Sequence, residues 1–400
     1  MKLRDYISGD SFLWALVIVL LVFSFLPVYS ASANLAYLHR GTGNTTKFLV
    51  KHLAHVIVGI GLLYAIHKIP YNYFKGLSIL LLPVVVVLLG YTAVQGTTMG
   101  GANASRWITI PGVGIQFQTS TFAFVVLMVW VAKYLCSIKD RTVTFKQSLL
   151  PLWLPVGLVL ALVLPANFST TVLIFSMVLL LCFVGGYPKK YLLAIIGTGV
   201  VALGLFVLTA KAFPDLFPNR VDTWISRVAT FSGEGNNDTN YQVDKAKTAI
   251  AKGYVFGEGP GKSTSKHFLP QSSSDFIYAI IIEEFGLIGG VVLLLVYLLF
   301  LFRLVVIATK AQDIFATLLV VGVGFPIVFQ ALVNMSVAVN LIPVTGQTLP
   351  FISSGGTSIL MSCMAAGIVL SASRKNTAEI EQQTVAVEDM NPLDVLSEAL

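Results

Sequence analysis

The sequence predicts an all-α polytopic membrane protein of about ten transmembrane helices, with a large outer loop between helices 7 and 8 and a re-entrant broken segment before the last helix. Of its 400 residues, 56% are hydrophobic and 11% are charged, which is too apolar for a soluble domain. Apolar runs of about 20 residues, each long enough to cross a bilayer as a helix, recur along the chain. The predicted spans are 12–31, 50–68, 75–94, 119–136, 149–165, 168–186, 189–209, 276–305, 312–340 and 350–373.

The first span follows Lys2 and Arg4 and lacks a clear small-residue cleavage site. It is therefore interpreted as a retained span and not as a cleaved signal peptide. The fifth and sixth spans are divided by Pro165 and Asn167, with almost no loop between them. These two spans are expected to meet in a tight connection.

Lysine and arginine predict the orientation of the spans, because the cytoplasmic ends of transmembrane helices are enriched in both. With the N-terminus inside, the cytoplasmic ends carry 14 of these residues, whereas the short outer loops carry 4, namely Arg40, Lys47, Lys51 and Arg106. Both termini are therefore expected in the cytoplasm. The net charge of +7 follows from this topology and gives no support to nucleic acid as a partner.

Two outer segments are longer than a connection requires. Residues 95–118 are rich in glycine and carry Arg106 and Trp107. Residues 210–275 form a loop that contains an amphipathic stretch, YQVDKAKTAIAK, expected to lie along the membrane surface. The loop also contains the glycine-rich run GYVFGEGPGKS, which either brings backbone amides close to an anion or simply forms a turn.

A third outer segment, NLIPVTGQTLPFISSGGTS, interrupts what is otherwise a continuous apolar helix with prolines and glycines. Broken backbone at membrane depth is tolerated only where it is buried in protein or lines a watery cavity. The segment is thus either part of a ligand site or a tight re-entrant turn without a ligand.

Asp275 is the main candidate for chemistry. No Asp or Glu lies between Asp10 and Asp140, or between Asp140 and Asp215, so acids are scarce in the hydrophobic body. Because an acid is costly in lipid, an acid at the outer end of an apolar helix is a functional candidate. The alternative is that Asp275 only caps the helix, since aspartate favours helix N-termini.

Other polar residues of the spans are interpreted as structural. On an ideal helix Glu283 lies about 80° and Glu284 about 180° around from Asp275, so at most one shares its face. Both are expected to pair within the bundle, and Asn334 is expected to hydrogen-bond between helices. Neither a disulfide nor a metal cluster is indicated by the three cysteines, Cys136, Cys182 and Cys363.

The chain therefore divides into a membrane domain, 1–374, and an acidic tail, 375–400. The tail has few large apolar residues and is predicted to be disordered. Its last stretch, NPLDVLSEAL, is suited to forming a short helix on a partner.

Four stretches resemble motifs of one family. These are GANASRWITIPGVGIQFQTS, the series RVATF, YQ and GEGPG in the outer loop, LPQSSSDFIYAIIIEEFG, and IPVTGQTLPFISSGGTS. Together they identify the chain as resembling the SEDS family (shape, elongation, division and sporulation) from about residue 10 to Arg374. The run Thr348-Leu349-Pro350 favours the division branch of the family over the elongation branch.

The chain departs from the family pattern at three positions. Thr121 replaces the glutamate of the family's FQPSE motif, Asn167 replaces the aspartate of its PD motif, and Ser354 replaces the tyrosine of its SYGG motif. Contacts that the family assigns to those side chains are therefore not expected here.

The resemblance implies a peptidoglycan glycosyltransferase that polymerises lipid II, with Asp275 as the catalytic carboxylate. A hydroxyl is a weak nucleophile until a base takes its proton, and Asp275 is suited to that role. The leaving diphosphate needs nearby positive charge. Candidate substrate-binding residues are Arg106, Trp107, Arg227, Gln242, Lys262, Lys266, Ser353, Gly355 and Gly356.

The resemblance also implies cofactors, partners and a location. A divalent cation, Mg²⁺ or Mn²⁺, can neutralise a diphosphate, although the sequence has no obvious cage for one. The implied partners are a class B penicillin-binding transpeptidase and other membrane proteins of the division machinery. The implied location is the bacterial cytoplasmic membrane at the division septum.

Three alternatives remain open from the sequence. A transporter of lipid II suits ten spans and a broken helix, but the first seven spans carry no carboxylate at their midplane for ion coupling. A scaffold suits the long loop and the tail, but it does not need Asp275. A polymerase of the elongation branch shares the same chemistry.

Overall fold

The computed structural model describes residues 8–40, 46–95, 106–109, 116–139, 141, 143–213, 221–232, 237–311 and 313–388, with the backbone alone at 33–40, 237–240 and 375–388. In these residues the architecture is helical. The helices are α1 (Ser11–Phe23), α2 (Phe25–Arg40), α3 (Thr46–Lys68), α4 (Tyr73–Gln95), α5 (Thr119–Ile138), α6 (Phe145–Ser148), α7 (Leu154–Val163), α8 (Phe168–Val184), α9 (Lys189–Ala212), α10 (Val221–Phe231), α11 (Asn237–Gly253), α12 (Ile277–Lys310), α13 (Ile314–Ala338) and α14 (Gly356–Glu388).

Two short strands and two tight turns complete the secondary structure of the described residues. Strand β1 (Trp107–Thr109) pairs antiparallel with β2 (Gln116–Gln118), and Trp107 lies opposite Gln118. A π-helical turn, Leu149–Trp153, joins α6 to α7, and a 3-10 turn, Ser265–His267, lies in the outer loop. The remainder of the predicted outer segment 95–118, residues 96–105 and 110–115, lies outside the described residues.

The prediction of an all-α polytopic membrane protein is confirmed. Nine stretches of the described chain are long and apolar enough to span a bilayer, and α8 is a shorter apolar helix of 17 residues. Each predicted span has a counterpart among these ten. Helix α8 is short because Asn167 caps its start, where Oδ1 accepts from the Thr170 amide at 3.3 Å, and Gly185 with Gly186 ends it.

The predicted eighth span, 276–305, is not one straight helix. Gly286 within α12 has φ 72° and ψ −177°, which is not helical. The Tyr278 hydroxyl donates to the Gly290 carbonyl at 3.0 Å, although these residues are 12 positions apart. In a continuous helix they are separated by about 18 Å along the axis, so the chain turns back at Gly286. Residues 287–310 alone are about 36 Å long, enough to cross the bilayer.

The outer loop holds this break in place. The amide of Leu287 donates to Tyr254 O at 2.9 Å and the amide of Ile288 to Val255 O at 3.3 Å. In return, the amide of Gly259 donates to Glu284 O at 3.0 Å. The glycine-rich run thus packs its backbone against α12, which favours the turn interpretation over anion binding.

Glu283 and Glu284 are fully buried and have structural partners, but those of Glu283 lie in the outer loop and not within the bundle as expected. Glu283 accepts from the amide and hydroxyl of Ser265 at 3.2 and 2.9 Å. Glu284 accepts from the Ser30 hydroxyl. Lys266, which is also buried, donates to Ser30 Oγ at 3.1 Å and to the Gly261 carbonyl at 2.7 Å. The group binds α2, the outer loop and α12 together.

The bundle is packed unevenly around α13. Seventeen residues of α13 are buried, including Val320, Val328 and Ala331, whereas only Leu192 and Ala210 are buried in α9. Helix α14 packs along α3 and continues to Glu388, past Arg374. The tail is therefore helical over its first part, which differs from the predicted disorder and agrees with its helix-favouring Ala, Glu and Gln residues. Residues 389–400 lie outside the described residues.

Candidate active site

Asp275 lies in a non-helical segment just before α12. Phe276, and not Asp275, occupies the N-cap position of this helix. Helix capping therefore does not account for the carboxylate. The Asp275 side chain is half-buried, so it is neither in open solvent nor sealed from it.

A buried amide on α13 fixes the backbone of Asp275. Nδ2 of Asn334 donates to the Asp275 carbonyl at 2.8 Å and to the Gln347 carbonyl at 2.7 Å. Asn334 is completely buried, and it thus ties the Asp275 segment to the broken segment before α14. It was expected to bond helix to helix, whereas it bonds two non-helical stretches that both need backbone partners at membrane depth.

Ser353 adds a second link between the same two segments. Its hydroxyl donates to the Ser274 carbonyl at 2.7 Å and accepts from the Leu349 amide at 2.8 Å. The Ser354 amide donates to the Ser273 carbonyl at 3.0 Å. The segment 341–355 is therefore built into the wall that carries Asp275, which makes Ser353 a positioning residue.

Arg227 and Asp275 face the same point of this wall. A Cβ atom placed on Gly346 lies 3.5 Å from Oδ2 of Asp275 and 4.0 Å from Nη1 of Arg227. Gly346 has φ 72°, a conformation that favours glycine. Arg227 reaches this point from α10, the first helix of the outer loop.

Arg106 completes the charged group. Its Nε donates to the Ala166 carbonyl at 2.7 Å, next to the Asn167 cap of α8. Burial raises the pKa of the Asp275 carboxyl above its ordinary value of 3.8, while the positive charges of Arg227 and Arg106 act to lower it. A carboxylate whose pKa is raised is a better proton acceptor. Two guanidinium groups are suited to binding a diphosphate.

The described contacts bring together Asp275, Arg227 and Arg106, but they do not join Gln242, Lys262 or Lys266 to this group. Lys262 is exposed and its side chain lies along Gly259. The ammonium group of Lys266 is bound within the Glu283–Glu284 network.

Of the remaining predicted residues, Trp107 lies in a strand, and Gly355 and Gly356 lie at the start of α14. Trp107 lies in β1, directly after Arg106. Gly356 begins α14 beneath the ring of His55, where any side chain would collide with that ring. Gly355 lies close to Ser358 and Thr348. The absence of a side chain at Gly356 allows α14 to begin directly at the wall of the site.

Two amides of the site were not singled out from the sequence. Gln330 of α13 donates to the Thr348 carbonyl at 3.0 Å, and Gln347 donates to Thr170 Oγ1 at 3.0 Å. In the sequence, both could have been identified as amide side chains within or next to an apolar span, because a polar group there is costly unless it is paired.

The donor set of the site does not fit a resident divalent cation. In the part of the chain that the structure describes, no group of three or more His, Cys, Asp or Glu side chains is placed to hold a metal ion. Hard cations prefer several oxygen ligands, whereas here one carboxylate faces two guanidinium groups.

The apolar spanning helices define a polytopic membrane protein, and the half-buried acid with its two arginines forms a candidate active site. The FtsW, RodA and SpoVE family of cell cycle proteins matches residues 10–378, and the chain belongs to this family. The resemblance inferred from the motifs is thereby confirmed.

Similar proteins extend over almost the whole chain. A probable peptidoglycan glycosyltransferase FtsW of Thioalkalivibrio sulfidiphilus (strain HL-EbGR7) is 31% identical, covering 87% of this chain and 86% of its own. Stage V sporulation protein E of Bacillus subtilis (strain 168) is 29% identical, covering 92% and 97%.

Solved structures share the fold. A chain described under "Structural coordination of polymerization and crosslinking by a peptidoglycan synthase complex" is 25% identical with a TM-score of 0.70, covering 92% of this chain and 98% of its own. The rod shape determining protein RodA of Thermus thermophilus is 24% identical with a TM-score of 0.66, covering 93% and 99%.

Proposed function

We propose that this chain is a peptidoglycan glycosyltransferase that polymerises lipid II, with Asp275 as the general base. The observation that carries the proposal is the half-buried carboxylate facing the same point as Arg227, with Arg106 acting on its pKa. The names of the FtsW relatives support the reaction class.

The reaction assigns a separate role to each charge. The 4-hydroxyl of the acceptor sugar attacks the anomeric carbon of the donor sugar, and Asp275 takes the hydroxyl proton. The bond from the anomeric carbon to the diphosphate oxygen breaks, and undecaprenyl diphosphate leaves with that electron pair. Arg227 and Arg106 stabilise the charge that develops on the diphosphate.

The other predicted substrate contacts belong to the same proposal. Trp107 follows Arg106 and is suited to packing against a sugar ring or the membrane interface. Gln242 is partly buried on α11 of the outer loop, and its amide is suited to hydrogen-bonding sugar hydroxyls. Lys262 is exposed and suited to attracting the anionic headgroup.

The domain organisation and the partner are proposed together. Residues 1–374 form the polymerase domain, with both termini in the cytoplasm and with action at the division septum. The similar chain from a complex that coordinates polymerization and crosslinking supports a class B transpeptidase as partner. We expect a tagged form of this chain to co-purify the transpeptidase from native membranes, and polymerisation at full rate without any recovered transpeptidase would contradict this part.

The central test is the variant Asp275→Asn. The amide preserves the size of the side chain but cannot accept a proton at neutral pH. We expect glycan synthesis from purified lipid II to fall about 10²–10⁴-fold, the usual loss when a general base is removed. Glycan chain formation without an ion gradient is the measurement.

Asp244→Asn is the matched control, because Asp244 is an exposed aspartate on α11 of the same outer loop. It should retain full activity. If Asp275→Asn polymerises within about threefold of the wild type, well short of that loss, Asp275 is not the base. A chain that moves lipid II across vesicles but forms no glycan is instead a transporter.

A further inference from the structure

A cavity lies between α5, α13 and α14, separate from the Asp275 carboxylate. Its cavity volume is about 50 Å³, and the space is partly open to the surroundings. The walls are formed by apolar side chains of all three helices, among them Phe124, Met128, Val323, Ile327, Met361 and Ala365. The whole space is called the slot below.

The slot begins one helical turn from the Asp275 wall. Gln330 lines the slot and donates to the Thr348 carbonyl at 3.0 Å. Asn334 follows four residues later on the same face of α13 and donates to the Asp275 carbonyl at 2.8 Å. Four residues of helix correspond to about 6 Å, so the mouth of the slot is about 6 Å along α13 from the Asp275 backbone.

The slot is elongated parallel to the helices. Its lining extends from Thr121 to Met128 on α5 and from Ser358 to Ala365 on α14. Each stretch corresponds to a length of about 10 Å. Thr121, Gln330 and Ser358 at the end near Asp275 are partly exposed, whereas the opposite end is buried. The slot is therefore blind, with its mouth on the Asp275 side.

The chemistry of the slot suits a hydrocarbon. None of its lining residues is charged. At the mouth, the hydroxyl of Thr121 is occupied by a bond to Gln118 O at 2.8 Å, and that of Ser358 is bonded to Thr348 Oγ1 at 2.7 Å. A sugar or an ion would lose its hydrogen bonds to water inside, whereas an apolar chain gains from burial.

We propose that the slot binds the isoprene units next to the diphosphate of a polyprenyl-linked substrate. This inference rests on the proposed function, because it requires a substrate whose polar head reaches Asp275 and whose chain is apolar. The mouth near the acid and the blind end away from it match that order of head and chain. The slot is small, about 50 Å³, so it holds only the part of the chain nearest the diphosphate, and the rest of the chain stays in the bilayer.

Filling the blind end tests the inference. Ala365→Phe places a ring in the closed end of the slot, and Ala365→Leu is a smaller filler that guards against misfolding. Ala161→Phe is the matched control, because Ala161 is exposed on α7 within a span. We expect KM for lipid II to rise about tenfold in Ala365→Phe and less in Ala365→Leu, with kcat within about twofold, since ground-state binding is lost. Each variant is compared by its melting temperature.

A photoreactive substrate gives a readout independent of turnover. A lipid-linked disaccharide with a diazirine on the isoprene unit nearest the diphosphate should label peptides of α5, α13 and α14 in the wild type. Ala365→Phe should abolish this labelling and Ala161→Phe should not.

Three outcomes separate the possible errors. Labelling outside the slot, together with an unchanged KM in Ala365→Phe, overturns the inference. Equal labelling by a diazirine phospholipid in competition also overturns it, because the slot then holds ordinary bilayer lipid. If wild-type protein forms no glycan, the proposed function fails, while the labelling pattern still decides whether a polyprenyl chain enters the slot.

Discussion

Asp275 is subject to two opposing influences. Burial raises the pKa of its carboxyl, and the charges of Arg227 and Arg106 lower it, with burial the larger influence. The folded protein therefore binds a proton at this position more tightly than the unfolded chain does. This single difference leads to one prediction for the pH dependence of activity and one for the pH dependence of stability.

The rate of glycan synthesis should rise with pH as Asp275 loses its proton. The acidic limb of the pH–rate profile should therefore lie above pH 3.8, the ordinary pKa of an aspartate. Arg227→Gln should move the limb further upward, because the arginine lowers that pKa. A pH–rate profile of the purified protein measures both. A limb at the ordinary aspartate value, unmoved by Arg227→Gln, would contradict the assignment.

The free energy of unfolding should change in the opposite direction. Because the folded state holds the proton more tightly, stability is full below the unfolded pKa and falls as pH rises through the folded pKa. Asp275→Asn removes this loss, so the variant should melt at or above the wild-type temperature at neutral pH, and the two should converge in acid. Melting curves of the same preparations used for activity test this.

The course of α12 depends on a break at Gly286 that the sequence does not reveal. Gly286 turns the chain back, so residues 277–285 form a short helix apart from the span that follows. A Cβ on Gly286 would collide with the Val255 carbonyl of the outer loop. Asp275 lies two residues before this short helix, so the break helps to set the position of the acid.

Gly286→Ala should lower both stability and activity. The positive φ alone costs about 1–3 kcal/mol for alanine, and the collision with Val255 adds to this. Gly186→Ala is the control, because Gly186 also has a positive φ, 77°, but open space around its Cβ position. The melting temperature should fall further in Gly286→Ala, and equal shifts in the two variants would show that the loop contact is unimportant.

The sequence predicted the spans because bilayer thickness sets the length of an apolar run, and such a run is recognised from consecutive residues alone. It did not predict the break in α12, because residues 277–285 are apolar apart from Glu283 and Glu284 and therefore merge with the apolar span that follows. Asp275 and Arg227 were found through motifs, whereas the pairing of Asn334 with two backbone carbonyls depends on how distant segments meet. Lys266 looked like a substrate cation because its buried partners, Ser30 and Gly261, are not evident from local sequence.

At the scale of the whole molecule, the prediction concerns its orientation across the membrane. Single cysteines in a background that lacks Cys136, Cys182 and Cys363 test it. An impermeant maleimide added to intact cells should label Glu258→Cys in the outer loop and should leave Arg141→Cys unlabelled. Both native side chains are exposed, so accessibility to water does not confound the comparison. Labelling of a cysteine at position 389 from outside would contradict the proposed topology.

The hydrogen bond from Asn334 to Asp275 also sets an order of events during biosynthesis. These residues are 59 positions apart, and Asn334 is made later. At about 5–20 residues per second, the ribosome needs about 3–12 s after Asp275 before its anchor is made. Throughout that interval the Asp275 carbonyl lacks this hydrogen bond, so we expect a nascent or truncated chain that ends before α13 is complete to form no glycan in the membrane.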